Sequence, residues 1–134
     1  MRNLPDPEKA KPCVLVIDDD EAVAWAIAGR LGKDFRVVGL SEPADAVVRA
    51  REDRPDVILC DINMPGMQGD DVAFALSQDP RTAAIPLIYL TALVDAEEVA
   101  ELEGVFGDYP TVSKSATTQE LHGVITGALG LEED

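Results

Sequence analysis

Basic side chains are scarce in this chain. Eleven Lys and Arg stand against 26 Asp and Glu in 134 residues, a formal net charge of −15. Clustered Lys and Arg grip phosphate backbones and anionic bilayers, so the balance argues against direct binding of nucleic acid or membrane surfaces. It favours partners with basic patches and divalent cations, although solubility alone accounts for most of it. Cysteine is nearly absent. Cys13 and Cys60 each lie in an apolar run, where buried free thiols are common, so no disulfide or cysteine metal site is expected. No stretch approaches the roughly 18 apolar residues of a membrane span. Met1 to Pro12 carries charges and prolines without an apolar core, unlike a signal peptide. The expectation is a reduced, cytoplasmic protein. The single histidine, His122, falls on the last predicted helix and is read as helix packing or surface, without a catalytic role.

What the chain does contain is a set of short apolar runs that stop at polar groups. Val57-Ile58-Leu59-Cys60 ends at Asp61, with a Pro65-Gly66 turn soon after. Val14-Leu15-Val16-Ile17 ends at Asp18-Asp19-Asp20, and Leu87-Ile88-Tyr89-Leu90 ends at Thr91. Short apolar runs bounded by turn residues read as strands buried on both faces, which helices must cover. If the strands are parallel, their polar ends meet in the crevice where open α/β sheets bind ligands.

Between the strands lie helical patterns. Residues 1–11 read as a disordered arm, and strand one as Cys13 to Ile17. Asp18 to Asp20 open a helix to about Leu31, with Val23, Ala26, Ile27 and Leu31 inward and Trp25 off the stripe as a partly covered surface residue. Strand two is Phe35 to Leu40. Ser41 is expected to cap a helix running past Pro43 to about Arg54, with Ala46, Val47 and Ala50 inward. Strand three is Val57 to Cys60, followed by a helix from about Asp70 to Gln78 with Val72, Ala73 and Leu76 inward. Strand four is Pro86 to Leu90, followed by a helix from about Asp95 to Leu102. Thr111 to Ser113 is a weak fifth strand ending at Lys114. Thr117 or Thr118 caps a last helix to Leu129, with Leu121, Val124, Ile125 and Ala128 inward, and Leu131 to Asp134 is an acidic tail. The alternation predicts one α/β domain over residues 12–130. It would be doubly wound and flavodoxin-like, a parallel five-stranded sheet in the order 2-1-3-4-5 with right-handed crossovers.

These residues resemble the receiver domain of two-component response regulators. The likeness rests on Asp18-Asp19 after strand one and Asp61-Ile62-Asn63-Met64-Pro65-Gly66-Met67-Gln68-Gly69 after strand three. Thr91-Ala92 after strand four and Lys114 after strand five complete it. The resemblance implies that Asp61 accepts a phosphoryl group from a phosphohistidine on a sensor histidine kinase or histidine phosphotransfer protein. It implies Mg²⁺ held by Asp18, Asp19, Asp61 and the backbone carbonyl of Asn63. Thr91, Ala92 and Lys114 would face the phosphoryl oxygens, and Asn63 and Leu93 would tune its lifetime. Such a domain is a switch that assists its own phosphorylation and dephosphorylation rather than a metabolic enzyme. It acts through protein contacts, homodimer formation among them, either as a single-domain regulator or as part of a larger protein. The chemistry fits: phosphoryl transfer needs positioning and charge neutralisation, and three crowded carboxylates repel until a hard divalent ion relieves them.

The pattern departs from the family in two places. Thr111 stands where receivers carry Tyr or Phe, with Tyr109 two residues earlier, and Ser115 follows the lysine where proline is usual. A second resemblance covers fewer residues. Asp18-x-Asp20, Thr91 and Lys114 are similar to motifs of haloacid-dehalogenase-like phosphatases, which would make Asp18 the nucleophile and Asp20 the general acid. That reading lacks an acidic motif after the lysine and leaves Asp61 unexplained. A receiver-like interaction module that is never phosphorylated is the third reading.

Overall fold

The computed structural model of the chain describes residues 11–93, 97–98, 101 and 109–130. The arm before Lys11, most of the helix expected at Asp95 to Leu102 and the acidic tail lie outside them. Five strands form one parallel sheet: β1 (Cys13–Ile17), β2 (Arg36–Leu40), β3 (Val57–Asp61), β4 (Leu87–Thr91) and β5 (Thr111–Ser113). Their order is β2-β1-β3-β4-β5, as the alternation predicts. Register is set by pairs such as Ile17 with Cys60 and Cys60 with Tyr89.

Among the described residues four complete helices cover the sheet: α1 (Glu21–Leu31), α2 (Ala46–Asp53), α3 (Gly69–Gln78) and α4 (Thr118–Leu129). The two faces of the sheet build two cores. Leu15, Ile17, Ile58, Cys60 and Tyr89 meet Ala46 and Ala50 of α2 and Val72, Ala73 and Leu76 of α3. Val14, Val16, Leu59 and Leu90 meet Ile27 and Leu31 of α1 and Leu121 and Ile125 of α4. Every residue of β1, β3 and β4 is buried, which is why those strands read as unbroken apolar runs rather than alternating ones. Each buried aliphatic contributes about 1.5–3 kcal/mol relative to exposure, so these central strands dominate the stability.

Local differences from the sequence reading have physical causes. Ala26 is exposed; the inward face of α1 instead turns through Ala24, which stands close enough to Gly39 that a Cβ there would lie 2.8 Å from it. Trp25 is 82% exposed, not partly covered. Ser41 does not cap α2. A 3₁₀ turn, Pro43–Asp45, precedes that helix, and the Glu42 carboxylate accepts from Ala44 N at 3.3 Å. Arg54 ends α2 in the left-handed region, with φ of 48°. Thr117 caps α4 in a reciprocal box with Glu120. Thr126, outside the expected stripe, is buried, and its hydroxyl is satisfied by donating to the Gly123 carbonyl at 3.1 Å. The peptide between Lys114 and Ser115 is trans. Cys13 and Cys60 are free and buried. Among the described residues no helix is long and apolar enough to cross a membrane.

Candidate functional site

The site lies at the carboxyl ends of the strands, where β1 and β3 are neighbours. Asp18 follows β1 directly and is 2% exposed; Asp61 closes β3 and is 5% exposed. Two short links fix Asp18. Its backbone N–H donates to the Leu40 carbonyl at 3.1 Å, and its Oδ1 accepts from Asp20 N at 2.9 Å. Asp20 in turn caps α1 by accepting from Ala22 N at 3.0 Å. That cap occupies the residue which the phosphatase reading needs as a general acid. Asp19 is exposed, yet its carboxylate joins those of Asp18 and Asp61, with ligand oxygens all within 4.8 Å of one another.

Asp61 is held from behind as well. The Ile62 carbonyl accepts from Gly69 N at 2.8 Å. Gly69 opens α3 so close to the strand end that an added Cβ would lie 2.6 Å from the Asp61 carbonyl oxygen and 3.0 Å from Ile62 Cα. Both atoms are backbone, so this close approach requires glycine. The Gly66 turn has φ of 79°, a second position where glycine is favoured. Asn63, exposed in the same loop, donates its backbone N–H to the Asp61 carboxylate. In the sequence Gly69 stands out only as a motif residue; its contact with Asp61 depends on where α3 docks and carries no local signal.

Lys114 enters from beyond β5. Its Nζ lies 2.7 Å from Asp18 Oδ2 and 3.3 Å from Asp61 Oδ1, so one ammonium bridges both acids. The backbone contributes: Lys114 N donates to the Thr91 carbonyl at 2.7 Å. Thr91 is buried at the end of β4, with Ala92 exposed and Leu93 half-buried after it. The Thr91 Oγ1 accepts from Leu93 N at 3.1 Å. Thus the strand ends gather Asp18, Asp19, Asp61 and Lys114 into one cluster, with Thr91 at the end of β4, the strand that β5 pairs with.

Electrostatics follow from crowding. Burial pushes the Asp61 carboxyl above the usual carboxylate range, and the Asp18 charge pushes it further; Lys114 and the Asn63 N–H pull the other way without cancelling the rise. Burial alone would lower Lys114, but the Asp18 and Asp61 carboxylates outweigh it and hold its pKa above the ordinary lysine value. The Cys60 thiol is pushed up by burial, then by Asp61 and Asp18, and stays protonated. Asp18 Oδ2 is buried, and the Lys114 ammonium at 2.7 Å is its close polar partner. Three carboxylates gathered around so few positive charges form a donor set that suits a hard divalent cation.

Fold and site together are those of a receiver-type signalling domain, and comparison with known proteins agrees. The response regulator receiver domain family matches residues 14–126. The chain therefore belongs to the response regulator receiver domain family of two-component systems. It is 34% identical over 123 residues to the DNA-binding response regulator MtrA of Mycolicibacterium smegmatis, covering 90% of this chain and 52% of that one. It is 35% identical over 100 residues to the response regulator PleD of Caulobacter vibrioides, covering 73% of this chain and 22% of that one. The chain thus spans about half the length of MtrA and 22% of that of PleD. Among solved structures it is similar to a putative response regulator from Chloroflexus aurantiacus, with a TM-score of 0.77 and 27% identity over 90% of this chain and 98% of that one. The fold is shared by the chemotaxis protein CheY4 of Vibrio cholerae, with a TM-score of 0.76 and 23% identity over 90% of this chain and 100% of that one.

Proposed function

We propose that this receiver takes a phosphoryl group on Asp61 from a phosphohistidine of a histidine kinase or phosphotransfer protein, in a reaction that depends on Mg²⁺. The observation that carries the reading is the Lys114 ammonium spanning Asp18 and Asp61 at the ends of adjacent strands. A carboxylate oxygen of Asp61 forms the new O–P bond as the N–P bond of the donor breaks. Burial beside another acid leaves that carboxylate poorly solvated and more basic, which suits a nucleophile.

Two anions must approach each other for this step, so cations decide it. Asp18, Asp19, Asp61 and the Asn63 carbonyl would hold Mg²⁺; when bound, it neutralises charge on the transferring oxygens. Lys114 turns its ammonium from Asp18 toward the incoming phosphoryl group. The Thr91 hydroxyl keeps its own proton while accepting from Leu93, so it donates one further hydrogen bond. Ala92 leaves room beside it, and Asn63 and Leu93 flank the path of the attacking water that ends the phosphorylated state.

The DNA-binding named for MtrA belongs to that protein. With a net charge of −15, this chain is suited to basic protein surfaces rather than to nucleic acid. The deciding experiment is incubation with Mg²⁺ and acetyl phosphate, trapping of the adduct and mapping by mass spectrometry. Label on Asp61, abolished by Asp61→Asn, is the expected result. Label on Asp18 would revive the phosphatase reading, and absence of label would leave an interaction module.

A further inference from the structure

The position three residues before Lys114 is Thr111, which is buried and pairs in register with Tyr89. Tyr109 is committed elsewhere. Its ring stacks edge-on against Tyr89, with centroids 5.7 Å apart and planes at 88°, and it packs on the core beneath α2 and α3. Thr111 therefore stands at the position where the family resemblance would place an aromatic. Other groups connect the segment after Thr91 with the one that carries Lys114.

One of these groups is a hydroxyl. Ser113 Oγ donates to the Leu93 carbonyl at 2.6 Å and accepts from Ser115 N at 3.0 Å. Leu93 N in turn donates to Thr91 Oγ1 at 3.1 Å. The bonds form a continuous run from the Thr91 hydroxyl through Leu93 and Ser113 to Ser115, the neighbour of Lys114. The Ser113 hydroxyl thus both donates and accepts, and so holds a carbonyl on one side and an amide on the other. Alongside it run the β4–β5 pairing of Thr91 with Ser113 and the bond from Lys114 N to the Thr91 carbonyl at 2.7 Å.

We propose that Ser113 is a positioning residue that couples the two loops flanking the acceptor. Its hydroxyl fixes the Leu93 carbonyl on one side and the Ser115 amide on the other. A change at Thr91 therefore reaches the Lys114 loop, and the reverse, without a moving ring. For the signalling consequence this rests on Asp61 being phosphorylated, but the bridge itself does not.

The test uses the full chain and amide hydrogen exchange read residue by residue. Without any phosphodonor, Thr91→Ala removes the acceptor of Leu93 N, and Ser115 exchange should speed up by about five- to tenfold across the bridge. In a Ser113→Ala background the same Thr91→Ala change should leave Ser115 exchange unaltered, and Ser113→Thr, which keeps a hydroxyl, should restore the response. Global unfolding midpoints measured in parallel separate this from a general loss of stability. With acetyl phosphate and Mg²⁺, the Leu93 and Ser115 amides should change together in the native chain and separately in Ser113→Ala. Ser115 exchange indifferent to Thr91→Ala overturns the proposal. A chain that shows this coupling but takes no label on Asp61 overturns the phosphoacceptor reading and leaves the bridge standing.

Discussion

The two halves of the site are built differently. On the β1–β3 side, Asp18 and Asp61 emerge from central strands that are buried throughout, and backbone contacts at Leu40 and Gly69 pin them. On the β4–β5 side, Thr91 ends β4 and Lys114 follows β5, a three-residue edge strand, and side-chain hydroxyls tie together the segments beyond these two strand ends. The first half takes its geometry from the core, so its residues can hardly shift without unfolding something. The second half takes its geometry from hydrogen bonds of about 1 kcal/mol net each, which can rearrange. A signalling site needs both: a fixed nucleophile, and groups around it that respond to what the nucleophile carries.

The largest effect that would sharpen this contrast is loss of the ion bridging the halves. Lys114→Ala leaves Asp18 and Asp61 facing each other without their shared cation. Labelling of Asp61 by acetyl phosphate should slow on the order of 100-fold, as for loss of one preorganised charge donor. Mg²⁺ binding, followed by tryptophan fluorescence or calorimetry, should persist or tighten, because the ammonium no longer competes for the same oxygens. Loss of Mg²⁺ binding together with labelling would mean that the lysine orders the acids rather than the phosphoryl group.

Gly69→Ala probes the rigid half. In an unhindered helix this change stabilises by up to about 1 kcal/mol. Here the new Cβ meets the Asp61 carbonyl oxygen and Ile62 Cα, both in backbone that cannot swing away. The clash should reverse the sign, costing about 1–3 kcal/mol in chemical denaturation. It should slow labelling too, since the atoms pushed belong to the acceptor residue. A stabilised Gly69→Ala protein would show that the β3 end has slack, and the contrast between halves would lose its footing.

The strand ends were legible because buried parallel strands announce themselves as apolar runs, and a carboxylate terminating one is conspicuous. Asp18, Asp61 and Lys114 could be placed together from topology alone, and the structure brings them together. What the sequence did not disclose depends on relations between distant segments. Glu42 rather than Ser41 begins the turn before α2, because two caps of similar chemistry compete one residue apart. Ala26 looks inward by spacing, but Ala24, close against Gly39, joins Val23, Ile27 and Leu31 on the inward side while Ala26 stays exposed. The Ser113 bridge has no sequence signature, since a serine in a short strand is ordinary and only the position of Leu93 gives it a partner.

pH separates the halves more gently. The folded pKa of Asp61 is raised from its reference value of 3.8, chiefly by burial and next by Asp18. Between those two pKa values the folded chain holds a proton that the unfolded chain has lost. Stability from this group is therefore full at low pH and falls as pH rises through the folded value. Asp61→Asn should remove that part of the decline in urea midpoint, and saturating Mg²⁺ should flatten it in the native chain. Lys114 acts at the other end: its raised pKa keeps its contribution present below the unfolded value of 10.5 and loses it only above that. An Asp61→Asn protein with an unchanged profile would assign the decline to other carboxylates.

The smallest expected effect lies at Trp25, a side chain that belongs to neither half. It stands 82% exposed on α1, beside a cleft of about 340 Å³ that reaches Asp18 and Ser41. A large ring so exposed contributes little to folding, and surface changes of this kind usually stay within about 0.5 kcal/mol. Trp25→Ala should therefore leave the unfolding midpoint and the acetyl phosphate labelling rate nearly unchanged. The small donor makes no demand on a surface 82% open to solvent, so a slowed reaction would mean that α1 helps set the position of Asp18. In that event the rigid half would extend beyond the strands into the helix that Asp20 caps, and the division between core-fixed and loop-fixed groups would have to be drawn further out.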